Sequence, residues 1–315
     1  HAVKLLRAAG AEVVIYDNLS AGHRGAAEAA GAPLEVGEIH DVARLKQVFA
    51  THRVDAVMHF AAWLSVGESV ADPLGYYANN VQGALAVLRA MAETGIKHFV
   101  FSSTAATFGN PVEAPITEDH PQHPINAYGE TKLAVERALP HVERAHGIRS
   151  AVLRYFNAAG ADPEGALGED HDPETHVIPR AIDAALGRGT FAVFGSDYAT
   201  PDGTCLRDYI HVTDLASAHR LALEALRAGG ASSAYNLGNG RPTSVREVLA
   251  SVARVTGRKV PVSTGERRPG DPAVLFASSD RIKRALGWQP EYEALDVIVE
   301  TAYRWRLAHP HGYGA

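Results

Sequence analysis

Through the first half of the chain, short β-branched runs alternate with amphipathic helical patterns, and this alternation limits the fold more than any other feature. Residues 12–17, Glu-Val-Val-Ile-Tyr-Asp, read as a strand, as do the stretches near 34–39, 55–62, 97–104 and 150–157. Helical segments lie between them. The clearest carries Val81, Ala84, Leu85, Leu88, Met91 and Ala92, a spacing that puts one apolar stripe on one face. Gly95 follows it as a C-cap. Strictly alternating strands and helices build a parallel, doubly wound α/β sheet of the Rossmann type, with helices on both faces. Such a sheet takes its ligand at the carboxyl ends of the strands.

After residue 157 the pattern loosens. Residues 158–175 are rich in Gly, Pro, Asp and Glu and read as a loop. Helices are expected near 177–187, 213–226, 244–257 and 294–308, with short strands at 191–194 and 260–263. This predicts a smaller, mixed α/β lobe over residues 158–315, beside a nucleotide-binding domain over residues 1–157. Segments near 205–240 are expected to return to the first domain. No internal repeat or low-complexity tract interrupts the chain.

Composition excludes several classes. The 315 residues, 46% of them hydrophobic, suit one large or two medium domains. No run approaches the 18 or so apolar residues of a membrane-spanning helix, so no membrane partner is expected. No basic-then-apolar leader opens the chain. The single cysteine, Cys205, leaves no intrachain disulfide and fits a reducing, cytoplasmic location. A net charge of −6 with scattered Lys and Arg argues against a nucleic-acid surface. The sixteen histidines include no His-Glu-x-x-His and no Cys/His cluster, so no metal site is expected.

The beginning of the chain carries a further expectation. Residues 1–10 already read as a helix running into Gly10, and the strand after it ends in Asp17. In a dinucleotide fold the ribose-binding acid follows the glycine turn by about 20 residues. Counting back from Asp17 puts that turn, and the first strand, before residue 1. A chain without them should hold a dinucleotide pyrophosphate poorly.

The candidate chemistry lies in Tyr128-Gly129-Glu130-Thr131-Lys132, a Tyr-x-x-x-Lys. On a helix these two side chains share a face. A free phenol, with a pKa of about 10, is a poor base at neutral pH, and a nearby ammonium lowers that value. Roughly one βα unit earlier, Phe99-Val100-Phe101-Ser102-Ser103-Thr104 reads as a strand ending in hydroxyls at the carboxyl edge of the sheet. Thr104 is placed to align a substrate hydroxyl with Tyr128.

These residues resemble the Ser/Thr, Tyr and Lys site of the extended short-chain dehydrogenase/reductases. Further segments make the chain similar to one family within them, the UDP-glucose 4-epimerases. They are Tyr16-Asp17-Asn18, His59-Phe60-Ala61-Ala62, Val66-Gly67-Glu68-Ser69, Tyr76-Tyr77-Ala78-Asn79-Asn80, Arg154-Tyr155-Phe156-Asn157 and Tyr235-Asn236-Leu237-Gly238. Arg207-Asp208-Tyr209-Ile210-His211-Val212 is the most specific of the matches.

The resemblance implies a tightly held NAD. Asp17, with Asn18 beside it, would bind the adenosine ribose and repel a 2′-phosphate. Glu38 and Ile39 match the pair that brackets the adenine, although the family usually has Asp at the first position. Phe60, Ala61 and Ala62 would lie beneath the cofactor, Leu64 stands where some members carry a Lys, and Asn79 and Phe156 match further cofactor contacts. For the sugar nucleotide, Asn157, Arg207, Arg268 and Asp271 match diphosphate, uridine and ribose ligands. His176, Val177, Ala192, Val193 and Phe194 match backbone and packing contacts to UDP, and Leu275 matches the residue that limits the group at sugar C2. The implied catalytic set is Tyr128, Lys132 and Thr104, acting on UDP-galactose and UDP-glucose in a homodimer.

Three other readings stay open. A sugar-nucleotide 4,6-dehydratase would carry Asp and Glu directly after Thr104, where this chain has Ala105 and Ala106. An inactive dinucleotide-sensing protein would tend to lose the Tyr or the Lys. An epimerase of another UDP-sugar, an N-acetylhexosamine or a pentose, is poorly separated by sequence.

Overall fold

A computed structural model describes residues 1–267 and 272–314. Arg268 and Asp271 therefore lie outside the described residues. The first half runs α1 (Ala2–Ala8), β1 (Ile15–Asp17), α2 (Arg24–Ala30), β2 (Leu34–Val36), α3 (Val42–Thr51) and β3 (Ala56–His59). Two short helices follow, α4 (Val66–Ala71) and α5 (Pro73–Tyr76), then a π-helical turn at Tyr77–Gln82. After it come α6 (Gly83–Thr94), β4 (His98–Thr104), α7 (Ala127–His146) and β5 (Arg149–Tyr155). The second half holds β6 (Asn157–Ala159), α8 (Val177–Ala185), β7 (Phe191–Phe194), β8 (Leu206–Arg207), β9 (Tyr209–His211), α9 (Val212–Arg227) and β10 (Ser233–Leu237). It ends with β11 (Thr243–Ser244), α10 (Val245–Thr256), β12 (Val262–Gly265), β13 (Val274–Leu275), α11 (Asp280–Leu286) and α12 (Leu295–Ala308).

The first five strands and β10 run parallel in two sheets, a larger one in the order β10–β5–β4–β3 and a pair β1–β2. Both faces of the larger sheet are covered. Along β4 the side-chain period of two sends Phe99 and Phe101 into a core with Leu45, Leu88, Met91 and Val135, under α3, α6 and α7. Val100 points the other way, into a core with Leu153, Leu215, Leu237 and Trp288, under α9 and α11. This is the Rossmann-type α/β arrangement that the alternation predicts. A third core, with Ile178, Ile182, Phe191, Val248 and Val299, joins α8, α10 and α12 in the smaller lobe.

Differences from the sequence reading have local causes. β1 covers only the end of the 12–17 run, because its ladder partner β2 is equally short. The apolar stripe that begins at Val81 starts in the π-helical turn, and α6 proper runs from Gly83 to its αL cap at Gly95. The loop read over 158–175 opens as strand β6, since those residues find a parallel partner in β9.

Asp208 sits between β8 and β9 with 0% exposure. Its carboxylate accepts from the backbone N–H of Asn239 (2.8 Å), Ala277 (3.1 Å) and Gly240 (3.2 Å). Its carbonyl accepts from Asn157 N (3.1 Å) and Asn157 Nδ2 (2.9 Å). A Cβ at Gly238 would come within 2.2 Å of Asp208 Oδ2, so the chain needs glycine there. One residue thus ties the start of β6, through its carbonyl, to the loop after β10 and residue 277, through its carboxylate. Burial pushes its pKa up to about 6 against the pull of those three donors.

Asp208→Ala leaves three amides without their acceptor. Each unsatisfied buried group costs about 1–3 kcal/mol, so the variant should lose at least about 3 kcal/mol of unfolding free energy. Urea unfolding at neutral pH measures this. A loss under about 1 kcal/mol would mean that the amides find other acceptors.

Candidate active site

Asn126 caps α7 by accepting from Gly129 N (2.9 Å), and Tyr128 and Lys132 follow on adjacent turns of one face. A Cβ at Gly129 would stand 2.5 Å from the Ala106 carbonyl oxygen. Glycine therefore lets the start of α7 lie against the 3₁₀ turn Ala105–Phe108 that ends β4. Thr104 caps that turn, its Oγ1 accepting from Ala106 N (3.1 Å). The same hydroxyl stands close enough to the Tyr128 phenol to favour its anion. The two groups that the sequence pairs are thus in contact at the carboxyl edge of the sheet.

A buried ion pair seats α7 on the sheet. Arg154 of β5 donates from Nε to both Glu136 oxygens (3.1 Å each) and from Nη2 to Oε2 (2.6 Å). The side chains are 8% and 6% exposed. Ser103 of β4 also donates to Glu136.

Lys132 is buried, donates to the Ser102 carbonyl at 2.9 Å, and lies 5.1 Å from the Phe101 ring centroid. Desolvation lowers its pKa to about 8, while Glu136 opposes the shift. The Tyr128 phenol is shifted the other way from the sequence expectation: burial pushes it up, Tyr155 adds to this, and the Thr104 hydroxyl works against it. Desolvation outweighs any help from the ammonium, which is committed to a backbone carbonyl.

Asn80, which sequence reasoning passed over in favour of its neighbour, clamps this region. It accepts from Trp63 N (2.8 Å) and Asn79 Nδ2 (3.0 Å), and donates to Trp63 O (2.9 Å) and Thr131 Oγ1 (3.2 Å). The segment after β3 is thereby held to α7. A buried amide in an otherwise apolar helical pattern was the available signal.

Other expected residues line the carboxyl edge of β1, β2 and β3. Asp17 Oδ1 accepts from Leu19 N (2.6 Å), and Asn18 Nδ2 donates to the Glu38 carboxylate (3.1 Å). Ile39 packs on the core beneath α6. Phe60 (46% exposed) and Leu64 (50%) leave apolar surface open, with Ala61 and Ala62 half-buried between them. Phe156 and Asn157 follow β5, and Asn157 is anchored on Asp208.

Arg207, Leu275 and β7 lie in the smaller lobe's strands. Arg207 pairs across the sheet with Leu275 on one side and Thr243 on the other. Its Nη1 donates to the carbonyls of Leu206 and Pro272 (2.8 Å each). Ala192, Val193 and Phe194 run along β7, paired with β12. His176 is the N-cap residue of α8 and contacts Glu169, and Val177 packs on the core that includes Val193.

Three histidines are buried as neutral groups: burial lowers His59 to about 3, His211 to about 4 and His219 to about 4. His219 Nδ1 donates to the Leu215 carbonyl, so Nε2 accepts from Ser102 Oγ (3.1 Å). A depressed histidine stays neutral in the fold while the unfolded chain takes up a proton below about pH 6.5. Stability is therefore lost as pH falls from 6.5 toward the folded values, by about 2 kcal/mol per group at pH 5. Asp208, raised to about 6, acts in the opposite direction. Urea unfolding should show a steep loss from pH 7 to pH 5, and His219→Phe should reduce the slope by one proton. An unchanged slope would contradict the neutral burial of His219.

The sequence profile of the NAD dependent epimerase/dehydratase family matches residues 1–238. The chain is 50% identical to the UDP-glucose 4-epimerase of Halalkalibacterium halodurans, over 99% of this chain and 93% of the relative. It is 49% identical to that of Lacticaseibacillus casei, over 100% and 95% respectively. The crystal structure of UDP-glucose 4-epimerase from Brucella ovis in complex with NAD matches with a TM-score of 0.93 at 50% identity, over 96% of this chain and 93% of that one. With the Tyr128–Thr104 contact, the buried Lys132 and the doubly wound sheet in place, these likenesses mean that the chain belongs to the NAD-dependent epimerase/dehydratase family.

Proposed function

We propose that the chain is a UDP-glucose 4-epimerase, interconverting UDP-galactose and UDP-glucose through a transient 4-keto sugar with bound NAD. The observation that carries this reading is the hydroxyl pair Thr104–Tyr128, followed directly by Ala105 and Ala106. A 4,6-dehydratase must also expel the 6-hydroxyl, and these two alanines have no proton to give. The curated relatives at about half identity are epimerases.

The carboxyl edge suits NAD. A carboxylate at Asp17 stands at the end of β1, and open apolar surface at Val36, Phe60 and Leu64 follows β2 and β3. Asp17 and Asn18 would take the ribose hydroxyls, Glu38 and Ile39 the adenine, and Phe60 to Ala62, Leu64, Asn79 and Phe156 the remaining length. Bound NAD supplies the hydride acceptor and donor and, when oxidised, a positive charge that counters the burial of the phenol. Tyr128 removes the 4-hydroxyl proton with Thr104 in the hydrogen-bond path and, once the 4-keto sugar has turned its other face to the cofactor, returns a proton to O4. Lys132, held on the Ser102 carbonyl one turn along the same helix face, adds positive charge to the site.

Asn157, Arg207, Arg268 and Asp271 would anchor the uridine diphosphate, with His176, Val177 and Ala192 to Phe194 packing against it. Tight nucleotide binding with loose hexose binding lets the keto sugar turn over. In the same reading, residues 1–157 with segments near 205–240 form the nucleotide half; β10, in register with β5, supports that return. A homodimer would use the groove between α6 and α7, lined by Leu85, Leu88, Ala92 and Val142. No helix among the described residues is long and apolar enough to cross a membrane, and the lone, buried Cys205 suits a cytoplasmic protein.

Tyr128→Phe should abolish epimerisation and leave UDP affinity nearly intact; turnover within a few-fold of the parent would refute the assignment. Thr104→Val should slow turnover by roughly 10²–10⁴-fold, the range for a positioned proton-transfer group.

Leu275, paired with Arg207, borders the proposed hexose pocket. Its intermediate size favours glucose and galactose and admits some N-acetyl turnover. Leu275→Tyr should remove N-acetylhexosamine activity and spare UDP-galactose. Equal N-acetyl activity in both proteins would place the gate elsewhere.

A further inference from the structure

The loop between β6 and α8 holds Glu169, His171, Glu174 and His176. Sequence reading treats it as a loop and expects no metal there, because the spacing matches no standard zinc motif. The fold brings one ligand-type atom of each residue within 4.8 Å of all the others. Glu169 Oε1 lies 3.2 Å from His171 Nδ1 and also contacts His176 Nδ1. His171 Nδ1 is 3.7 Å from Glu174 Oε1. The imidazole planes cross at 84°.

Glu174 supplies a second observation. Its side chain is only 8% exposed. Oε1, the oxygen 3.7 Å from His171 Nδ1, accepts from Thr175 N and His176 N (2.8 Å each), whereas the other oxygen of the same carboxylate, Oε2, is buried with no hydrogen-bond partner among the described residues. A buried carboxylate oxygen without a donor is costly, and a cation is one way of satisfying it.

We propose that Glu169, His171, Glu174 and His176 bind one divalent first-row transition-metal ion, with Zn²⁺ the best match, which fixes the loop leading into α8. Bonds of about 2.0–2.2 Å give tetrahedral ligand-to-ligand edges of about 3.4 Å; the two separations from His171, 3.2 and 3.7 Å, are close to this, whereas Glu169 and His176 touch more closely and must draw apart for both to hold the ion. Two imidazole nitrogens with two carboxylate oxygens suit such an ion. Mg²⁺ and Ca²⁺ prefer all-oxygen sets. Four protein ligands would complete the tetrahedron, so the ion is structural and stands apart from the Tyr128 chemistry. Its placement suits that role: His176 leads into α8, and Asp170 accepts from Tyr313 N (3.0 Å), tying the same loop to the C-terminal segment.

The alternative is that imidazolium–carboxylate pairs alone hold the cluster. Metal-stripped chain would be titrated with Zn²⁺ by calorimetry, and its Co²⁺ form read by visible absorption. We expect one ion per chain and d–d bands of a four-coordinate N/O site. His171→Ala and Glu174→Gln should each weaken Zn²⁺ binding by about 100-fold or more, beyond the usual loss from an outer-shell change. His309→Ala with His311→Ala should leave binding unchanged. Chelator should lower the Tm of the unmodified chain and leave that of His171→Ala where it is. Absence of stoichiometric Zn²⁺ binding by the unmodified chain would overturn the proposal, as would equal binding by both loop variants. These readouts are independent of epimerase activity.

Discussion

The buried pair between Arg154 and Glu136 sets the geometry on which the site depends. It joins the middle of α7 to β5, and the Ser103 hydroxyl adds β4 to the same knot. Removing one partner of such a pair typically costs about 3–5 kcal/mol, since the other is left charged and buried. Its effect here is positional. Once α7 is held at Glu136, Lys132 one turn earlier falls under the Ser102 carbonyl, and Tyr128 a further turn back reaches Thr104.

That positioning places both functional groups where water is scarce, and burial acts on them in opposite chemical directions. It destabilises the lysine cation and the tyrosine anion alike, lowering one pKa and raising the other. Burial weakens the charged form of each, so the phenol gives up its proton most readily when positive charge enters the site. The surroundings reinforce the low polarity: His59 and His219 are held neutral beneath the strand ends, and Phe60 stacks on His219 at 4.8 Å.

The smaller lobe is joined to the sheet through backbone hydrogen bonding. Asp208 collects three amides with its carboxylate and an asparagine with its carbonyl. Arg207, its neighbour, is thereby set in the short sheet that also contains Leu275. Beside the arginine that the sequence offers as a diphosphate ligand, the structure places a buried carboxylate that holds three backbone amides, and strand β9 follows it. Glu169, His171, Glu174 and His176 gather on the connection from β6 to α8 in the same lobe, around no regular element.

The sequence by itself determined the features that depend on local periodicity and fixed spacing. Strand–helix alternation, the apolar face of α6, the hydroxyls ending β4 and the shared face of Tyr128 and Lys132 all follow from chain geometry over a few residues. Tertiary structure alone decided which polar groups meet across the chain: Glu136 with Arg154, Asn80 with Trp63 and Thr131, and Asp208 with residues 239, 240 and 277. It also decided the direction of the Tyr128 shift, because desolvation depends on everything packed around the phenol and not on the lysine four residues away. Periodicity reports which face of an element is buried. The partner of a buried polar group, and the dielectric around a titrating one, exist only after distant segments have packed.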